Sequence, residues 1–290
     1  MQARILDGKA IAAEVRAEWA QHAAEVHKQR GRAPSLAVVL VGEDPASKSY
    51  VRGKRKAAAE MGILSRDVDL PADTPEAALR DEVDKLNADP AIDAILVQLP
   101  LPAHVNADAL LERIQPAKDA DGFHPVNLGR MLLGQDCLLP CTPAGVMEIL
   151  GRSQIKTQGT EVVIVGRSRT VGRPLANMLS AKSESANATV TLCHSATIDL
   201  AKHCRQADIL IAAAGQARII TADMIKPGAT VIDVGIHRIG TTPKGRPKLC
   251  GDVDFDTAKE VASAITPVPG GVGPMTIAML MRNTVLAARK

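Results

Sequence analysis

The sequence predicts an α/β protein made of two α/β lobes with a cleft between them. Short apolar runs rich in β-branched residues, typical of buried parallel strands, alternate along the chain with helical patterns. The predicted strands are "SLAVVLVG" (35–42), "AILVQLP" (94–100), "EVVIVG" (161–166), "TVTLC" (189–193), "DILIAAAG" (208–215) and "TVIDVGI" (230–236). Helical patterns occupy 76–87, 171–181 and 198–206. Such alternation is typical of a sheet that carries helices on both faces.

The junction between the lobes is predicted near 116–145, where Pro, Gly and turn residues are frequent. Thr142 and Pro143 have the pattern of an N-cap followed by Pro at the first helical position, which predicts a connecting helix to about residue 151. We therefore expect one domain of residues 1–140, completed by the C-terminal helix 274–290, and a second domain of residues 141–273.

Composition excludes several classes of function. The 290 residues are 46% hydrophobic and carry a net charge of only +3, with basic and acidic residues interspersed, so no broad nucleic-acid-binding face is expected. The five cysteines form no C-x-x-C pair, and their odd number suits a reducing, cytoplasmic compartment. Charged residues near the start do not fit a signal peptide, and no uncharged apolar run reaches the ~18 residues of a membrane span.

The histidines form no H-E-x-x-H pattern or other ligand pair, so no metal site is predicted.

Tyr50 is the only tyrosine in a chain with just four aromatic side chains. Asp44 and Pro45 are suited to cap and open a helix, and Gly62 is suited to stop it after Met61. Tyr50 and Lys54 lie four residues apart on that helix and therefore share a face. Spacing alone leaves two readings open, an exposed basic helix with a boundary tyrosine or a ligand-binding face.

Two further polar residues add to this candidate site. Gln98 lies near the carboxyl end of an apolar strand, where α/β sheets bind ligands and where a buried amide needs partners. Asp121 lies in the turn-rich loop "PAKDADGFHPVN" (116–127), which by itself is equally compatible with a plain Asp-Gly turn.

A strand, a glycine turn and a helix follow in "EVVIVGRSRTVGRPLANML", which predicts a Rossmann-like, doubly wound parallel sheet in the C-terminal lobe. The spacing of Gly166, Ser168 and Gly172 is a weak phosphate-loop signal, since it departs from G-x-G-x-x-G. The next strand is more informative, because it ends in Cys193-His194-Ser195 and lacks the carboxylate typical of NAD-specific sites. With Arg167 on the preceding loop, this pattern favours the 2′-phosphate of NADP.

The segment "TPVPGGVGPMT" contains three prolines and three glycines in eleven residues. It predicts a rigid loop before the last helix, with Pro274 in the first turn of that helix. A backbone without Cβ atoms can also approach a ligand closely.

Six motifs together resemble the bifunctional methylenetetrahydrofolate dehydrogenase/methenyltetrahydrofolate cyclohydrolase family. They are "YVRGK", "VQLPLP", "PAKDADGFHPVN", "PCTP", "VGRSRTVGRP" and "ITPVPGGVGPMT", and the likeness runs in order from about residue 5 to the C-terminus. The resemblance implies NADP-dependent oxidation of 5,10-methylenetetrahydrofolate to the methenyl form, followed by hydrolysis to 10-formyltetrahydrofolate. It further implies a cytoplasmic homodimer that acts on tetrahydrofolate derivatives and serves purine biosynthesis.

The resemblance also implies roles for individual residues. In the first domain, Tyr50 would stack on the aminobenzoyl ring of the folate, Lys54 would carry the proton, Gln98 would orient Lys54, and Asp121 would hold the pterin. The folate would also meet the loop of Pro269, Gly270, Gly271, Val272 and Gly273. NADP would be bound by Gly166, Arg167, Ser168 and Ser195, with Ile236 near its nicotinamide half. The acidic glutamate tail of the folate is a further candidate partner for Arg52, Arg55 and Lys56, for which plain solvation is the alternative.

Three alternatives stay open from the sequence. The chain would be a monofunctional folate dehydrogenase if the cyclohydrolase step were lost, although Lys54 and Gln98 are both present. A shikimate or amino-acid dehydrogenase has the same two-lobe plan, but "VQLPLP" and "PGGVGPMT" argue against it. A catalytically silent nucleotide-binding sensor is the alternative from a different class.

Overall fold

The computed structural model of the protein describes residues 2–241, 245 and 247–290. The chain divides into two compact units. The large-sheet unit comprises the chain up to Ala12 and Thr142–Thr276, and the small-sheet unit comprises Ala13–Cys141 and Ile277–Lys290. No described helix is long and apolar enough to cross a membrane.

The strands follow one another in chain order. They are β1 (Arg4–Ile5), β2 (Ser35–Val41), β3 (Leu64–Leu70), β4 (Ala94–Val97), β5 (Glu161–Val165), β6 (Thr189–Cys193), β7 (Ile209–Ala212), β8 (Thr230–Asp233), β9 (His237–Thr241), β10 (Pro247–Cys250) and β11 (Ala264–Ile265).

The helices lie between these strands. They are α1 (Gly8–Arg30), α2 (Pro45–Glu60), α3 (Glu76–Ala88), α4 (Ala107–Leu111), α5 (Pro125–Leu132), α6 (Cys141–Arg152), α7 (Gly172–Ser180), α8 (Leu200–Cys204), α9 (Phe255–Ala258) and α10 (Val272–Ala288), with 3₁₀ turns at Pro116–Lys118 and Ala222–Met224.

The large-sheet unit is built on six parallel strands in the order β1-β11-β8-β7-β5-β6. The residues of β7 and β8 are all buried, which explains why these strands are continuous apolar runs. The chain order reverses at β5, which has β6 on one side and β7 on the other. Ligands of such sheets bind beyond the carboxyl ends of the strands at this reversal. The predicted fold class, α/β with a Rossmann-like parallel sheet in the C-terminal part, is confirmed.

The small-sheet unit contains three parallel strands in the order β3-β2-β4. All seven residues of β2 are buried, and α3 packs Leu79, Val83 and Leu86 into the same core. Sequence analysis missed β3, "LSRDVDL", because this edge strand is mostly exposed and its polar residues lack the apolar signal of a buried strand.

Each of the six predicted strands exists, but several end earlier than expected. The strand β4 stops at Val97 instead of residue 100, and β8 stops at Asp233 instead of residue 236. The prediction that Thr142 caps the connecting helix is wrong, since α6 already begins at Cys141. The Thr142 hydroxyl instead lies 3.0 Å from the hydroxyl of Thr276.

The N-terminal residues belong by contact to the large-sheet unit, because β1 extends its sheet by pairing with β11. The predicted domain limits, 1–140 with 274–290 and 141–273, stay a prediction about separate folding domains.

Candidate functional site

The helix α2 carries the first set of candidate residues, and its ends follow the predicted signals. The Asp44 carboxylate caps the helix by accepting a hydrogen bond from the Ser47 N–H at 2.7 Å, and Pro45 occupies the first turn. Gly62, with φ +68°, turns the chain away after Met61. Tyr50 and Lys54 therefore lie one turn apart on the same side of this helix.

Lys54 is a buried cation, with only 7% of its surface exposed. Its Nζ donates a hydrogen bond to Gln98 Oε1 at 3.0 Å. The Gln98 amide nitrogen donates to the Leu99 carbonyl at 2.5 Å, which leaves Oε1 as the end that faces the lysine. The backbone N–H of Gln98 is itself held by the Val39 carbonyl at 2.9 Å. Gln98 thus fixes the ammonium through a neutral acceptor, and no acidic residue in the described part of the chain forms an ion pair with it.

Asp121 is the acidic group of this site. Burial raises its pKa to about 6, the nearby Lys54 charge opposes the rise, and Asp119 adds to it. Its carboxyl group makes no hydrogen bond with any residue that the structure describes, so its oxygens are available to a ligand.

The loop that carries Asp121 is fixed by hydrogen bonds to the buried side chain of Asp119. The Asp119 carboxylate accepts hydrogen bonds from the Gly122 N–H (3.1 Å), the His124 N–H (2.8 Å) and the Asn127 side chain (2.9 Å). Gly122 has φ +75°, and a Cβ on it would lie 2.3 Å from the Leu139 carbonyl carbon, so only glycine fits.

Asn283 of α10 is a residue that sequence analysis missed. Its buried amide donates to the carbonyls of Ala120 (2.9 Å) and Leu139 (2.8 Å), and so joins the Asp121 loop to the segment before α6. A polar side chain within an otherwise apolar helix was the available signal, because a buried amide requires partners.

Tyr50 remains 39% exposed, and its phenol makes no hydrogen bond with a described residue. Burial of the rest of the side chain raises the pKa of the phenol, which therefore stays neutral at physiological pH. The ring has an open surface beside the Lys54 face of the helix.

The other basic residues of α2 are mostly neutralised. Arg55 lies 2.9 Å from Asp67 and 2.6 Å from Asp69, and Lys56 lies 3.7 Å from Glu60. These ion pairs engage Arg55 and Lys56 with acidic residues of the protein itself.

An open cavity of about 730 Å³ lies beside α2 and is lined in part by Lys48, Arg52 and Arg55. Tyr50 and Lys54 do not line it, and their positions on the helical wheel place them on another side of α2. We therefore do not take this cavity as the catalytic site.

The second set of candidate residues lies in the large-sheet unit, at the turn after β5. Gly166 has φ +129°, and a Cβ on it would lie 1.9 Å from the Ala213 carbonyl oxygen. A Cβ on Gly172 would lie 1.9 Å from the Gly166 carbonyl oxygen. Gly166 is therefore required by close packing of this turn against the segment after β7, and Gly172 by close packing within the turn itself.

Ser168 caps α7 from within the same turn. Its hydroxyl accepts hydrogen bonds from the backbone N–H groups of Val171 (3.1 Å) and Gly172 (3.4 Å). Two backbone N–H groups at the N-terminus of α7 are thus already hydrogen-bonded within the protein.

Arg167 and Ser195 lie at equivalent positions just beyond the carboxyl ends of the neighbouring strands β5 and β6. Val165 pairs with Cys193, and each candidate lies two residues beyond one member of that pair. Both side chains are exposed and have no partner among the described residues. The turn after β6 is closed by Thr197, whose hydroxyl accepts from the His194 N–H at 2.8 Å, and it contains no carboxylate. A free cation and a hydroxyl without a competing acid fit a 2′-phosphate, so this turn fits NADP.

Ile236 follows the end of β8 and is 48% exposed, which is unusual for an isoleucine beside a buried strand.

The loop Pro269–Gly273 also lies in the large-sheet unit. Gly270 has φ +112°, and the backbone of Gly271 packs so closely on Gly8 that a Cβ on Gly8 would lie 1.8 Å from the Gly271 oxygen.

No group of three or more His, Cys, Asp or Glu in the described ranges is arranged to hold a metal ion, and the absence of a metal stays a prediction.

Comparison with known proteins identifies two family domains along the chain. Residues 6–121 match the catalytic domain of tetrahydrofolate dehydrogenase/cyclohydrolase, and residues 140–290 match its NAD(P)-binding domain. The bifunctional protein FolD of Syntrophus aciditrophicus is 54% identical over 289 residues, covering 100% of this chain and 98% of that protein.

Solved structures are similar over the whole chain. The bifunctional FolD methylenetetrahydrofolate dehydrogenase/cyclohydrolase of Campylobacter jejuni has a TM-score of 0.92 at 46% identity and 99% coverage of both chains. The Trypanosoma brucei enzyme, complexed with NADP cofactor and inhibitor, has a TM-score of 0.93 at 41% identity, covering 100% of this chain and 98% of that one. Shikimate 5-dehydrogenase of Thermus thermophilus, at 16% identity and a TM-score of 0.53, shares the fold alone.

These matches confirm the predicted enzyme, an NADP-dependent dehydrogenase that is also a cyclohydrolase, and they favour neither the monofunctional nor the shikimate-type alternative. The chain belongs to the tetrahydrofolate dehydrogenase/cyclohydrolase family.

Proposed function

We propose that Lys54, Gln98 and Asp121 are the catalytic residues of an enzyme that oxidises 5,10-methylenetetrahydrofolate and hydrolyses the methenyl product to 10-formyltetrahydrofolate. The hydrogen bond from Lys54 Nζ to Gln98 Oε1 carries this proposal. It holds a buried ammonium in one position while leaving its other protons free for a substrate.

The hydrolytic step needs a group that moves protons. Water adds to the methenyl carbon, and the resulting carbinol must lose a proton from oxygen and gain one on nitrogen before the ring opens. Lys54 is suited to move these protons, because an amine accepts and donates through one atom and Gln98 keeps that atom in place. Asp121 accepts hydrogen bonds from the pterin ring, and Tyr50 stacks on the aminobenzoyl ring.

The oxidation step depends mainly on alignment. NADP, when bound, supplies the hydride acceptor. Gly166 and Ser168 shape the turn that receives the coenzyme, Arg167 and Ser195 bind its 2′-phosphate, and Ile236 contacts its nicotinamide half. The loop Pro269–Gly273 lies against the folate.

The two domains divide this work. Residues 1–140 with 274–290 form the folate-binding catalytic domain, and residues 141–273 form the coenzyme domain. The family matches over 6–121 and 140–290 support the boundary near residue 140.

We further propose that the enzyme works in the cytoplasm as a homodimer and supplies 10-formyltetrahydrofolate to purine biosynthesis. Its five free cysteines suit a reducing compartment. The exposed edge strand β3, whose only strand partner in the described ranges is β2, supports pairing with a second copy.

Lys54→Gln is predicted to lower the cyclohydrolase rate by ~10²–10⁴-fold while leaving measurable dehydrogenase activity, because only hydrolysis requires a proton carrier. Methenyltetrahydrofolate should accumulate during turnover, and its absorbance measures the effect. Lys56→Gln, on the exposed side of the same helix, is the matched control and should behave like the wild type. Equal losses in both assays with equally weakened folate binding would show that Lys54 only positions the substrate.

Tyr50→Ala is predicted to weaken folate binding by about 0.5–1.5 kcal/mol beyond the lost buried area, the contribution of an aromatic pair. Tyr50→Phe keeps the ring and should recover most of the affinity, which calorimetric titration would measure. A Phe variant as weak as the Ala variant would mean that the hydroxyl, not stacking, matters.

Arg167→Ala is predicted to weaken NADP binding by about 1.5–3 kcal/mol, since it removes a charge-assisted hydrogen bond to the 2′-phosphate. Binding of NAD, which lacks this phosphate, is the internal control and should change far less. The assignment of the pocket is wrong if both coenzymes lose the same affinity.

Folate binding is predicted to strengthen as pH rises through about 6, the pKa of Asp121 in the free enzyme. The carboxylate offers both oxygens as acceptors to the pterin N–H groups, whereas protonation turns one of them into a donor, so the dissociation constant at pH 5 should be about tenfold higher than at pH 7.5. Asp121→Asn should bind weakly with a flat pH profile, as measured by anaerobic fluorescence titration. An unchanged pH dependence in the Asn variant would exclude Asp121 as its source.

A further inference from the structure

Two buried aspartates hold the loops that follow β7 and β8 in the large-sheet unit. Asp233, the last residue of β8, accepts backbone hydrogen bonds from Gly235 (3.0 Å), Asp252 (2.9 Å) and Val253 (3.0 Å). Asp252 is fully buried, and its Oδ2 accepts from the backbone N–H groups of Ala214 (2.6 Å) and Gly215 (2.9 Å).

The second carboxylate oxygen of Asp252 forms a hydrogen bond with a histidine. His237 Nε2 donates to Asp252 Oδ1 at 2.7 Å, and the His237 side chain is 23% exposed. Asp233 and His237 are the titratable side chains around this carboxylate for which the structure gives a contact. Because an unpaired buried carboxylate is costly, His237 is the group that keeps Asp252 available to the Ala214–Gly215 backbone.

Two glycines make room for this arrangement. A Cβ on Gly235 would lie 2.2 Å from Asp252 Oδ1, and a Cβ on Gly251 would lie 1.8 Å from Asp233 Oδ2. Both carboxylates are therefore packed directly against backbone, which explains the glycines of "DVGI" and "CGDV".

The loops held in this way are the ones that border the coenzyme turn. Ala213, next to the Ala214–Gly215 N–H groups, packs its carbonyl against Gly166. Ile236 directly follows Gly235, whose N–H is bound by Asp233. The His237–Asp252 pair thus helps to fix the segments at the carboxyl ends of β5, β7 and β8.

We propose that Asp252, kept in place by His237, is a positioning residue for the dehydrogenase reaction. It fixes the backbone after β7 directly and, through its contact with Asp233, the segment that presents Ile236. Without the pair, the Ala214 and Gly215 N–H groups lose their acceptor, and the coenzyme turn loses the surface on which Gly166 packs. This inference rests on the proposed coenzyme site, and it assigns no role in hydrolysis.

The test uses His237→Ala, because direct loss of Asp252 could prevent folding. His237→Ala is expected to raise the dissociation constant of NADP and the KM for NADP at least about tenfold, consistent with loss of a hydrogen bond to a charged group. Cyclohydrolase activity, assayed with methenyltetrahydrofolate without coenzyme, should stay within about twofold of the wild type. His237→Gln retains an N–H donor and should recover most of the NADP affinity.

His203→Ala, a histidine of α8 in the same unit, is the matched control and should bind NADP like the wild type. Unchanged NADP binding in His237→Ala, equal loss of both activities, or no recovery in His237→Gln would overturn the proposal. Failure of the proposed function would look different, because the wild-type protein itself would then lack NADP-dependent dehydrogenase activity.

Discussion

The geometry of the candidate site in the small-sheet unit depends on one interaction, the hydrogen bond between a buried ammonium and a neutral amide. Burying Lys54 without an acceptor would be costly, yet a carboxylate in direct contact would hold its proton too firmly. Gln98 resolves this conflict because its oxygen accepts at 3.0 Å while its nitrogen is committed to the Leu99 carbonyl. Gln98, the first residue after β4, thus offers its side-chain oxygen to α2 while its backbone N–H is still held by the Val39 carbonyl of β2.

The two units fix their loops by the same physical means. In each, a buried aspartate accepts several backbone N–H groups and thereby gives an irregular segment one conformation. Asp119 does this for the loop that presents Asp121, and Asp252 and Asp233 do it for the segments that lead to Gly215 and Ile236. Such carboxylates satisfy donors that no regular secondary structure would pair. Precise loops at the carboxyl ends of parallel strands are what an alignment-dependent reaction requires.

Much of this arrangement was predictable from sequence, since buried parallel strands are apolar runs and helix caps have local signatures. The limits of α2, with Asp44 before it and Gly62 after it, are examples. The edge strand β3 was not predictable in this way, because solvent on its exposed side permits polar residues.

The positioning residues were equally hidden from sequence. Asp252 and Asn283 act on backbone groups far away in the chain, and one sequence does not show which loop meets which side chain. Tyr50, Lys54, Gln98 and Asp121 were candidates from local sequence pattern and received their predicted roles from motif resemblance, whereas their contacts appear only in the fold.

The scarcity of aromatic residues gives Tyr50 its significance. The largest fully buried side chains are all leucine or isoleucine, and none of the four aromatic residues is fully buried. Trp19 forms cation–π contacts, because the guanidinium groups of Arg282 and Arg289 each lie 5.5 Å from the centre of its ring. Tyr50 itself is 39% exposed, so core packing does not explain a tyrosine at this position. Its open face, one helical turn from the buried ammonium, is compatible with the proposed role, in which a flat ligand stacks on the ring and Lys54 moves protons at the reacting group.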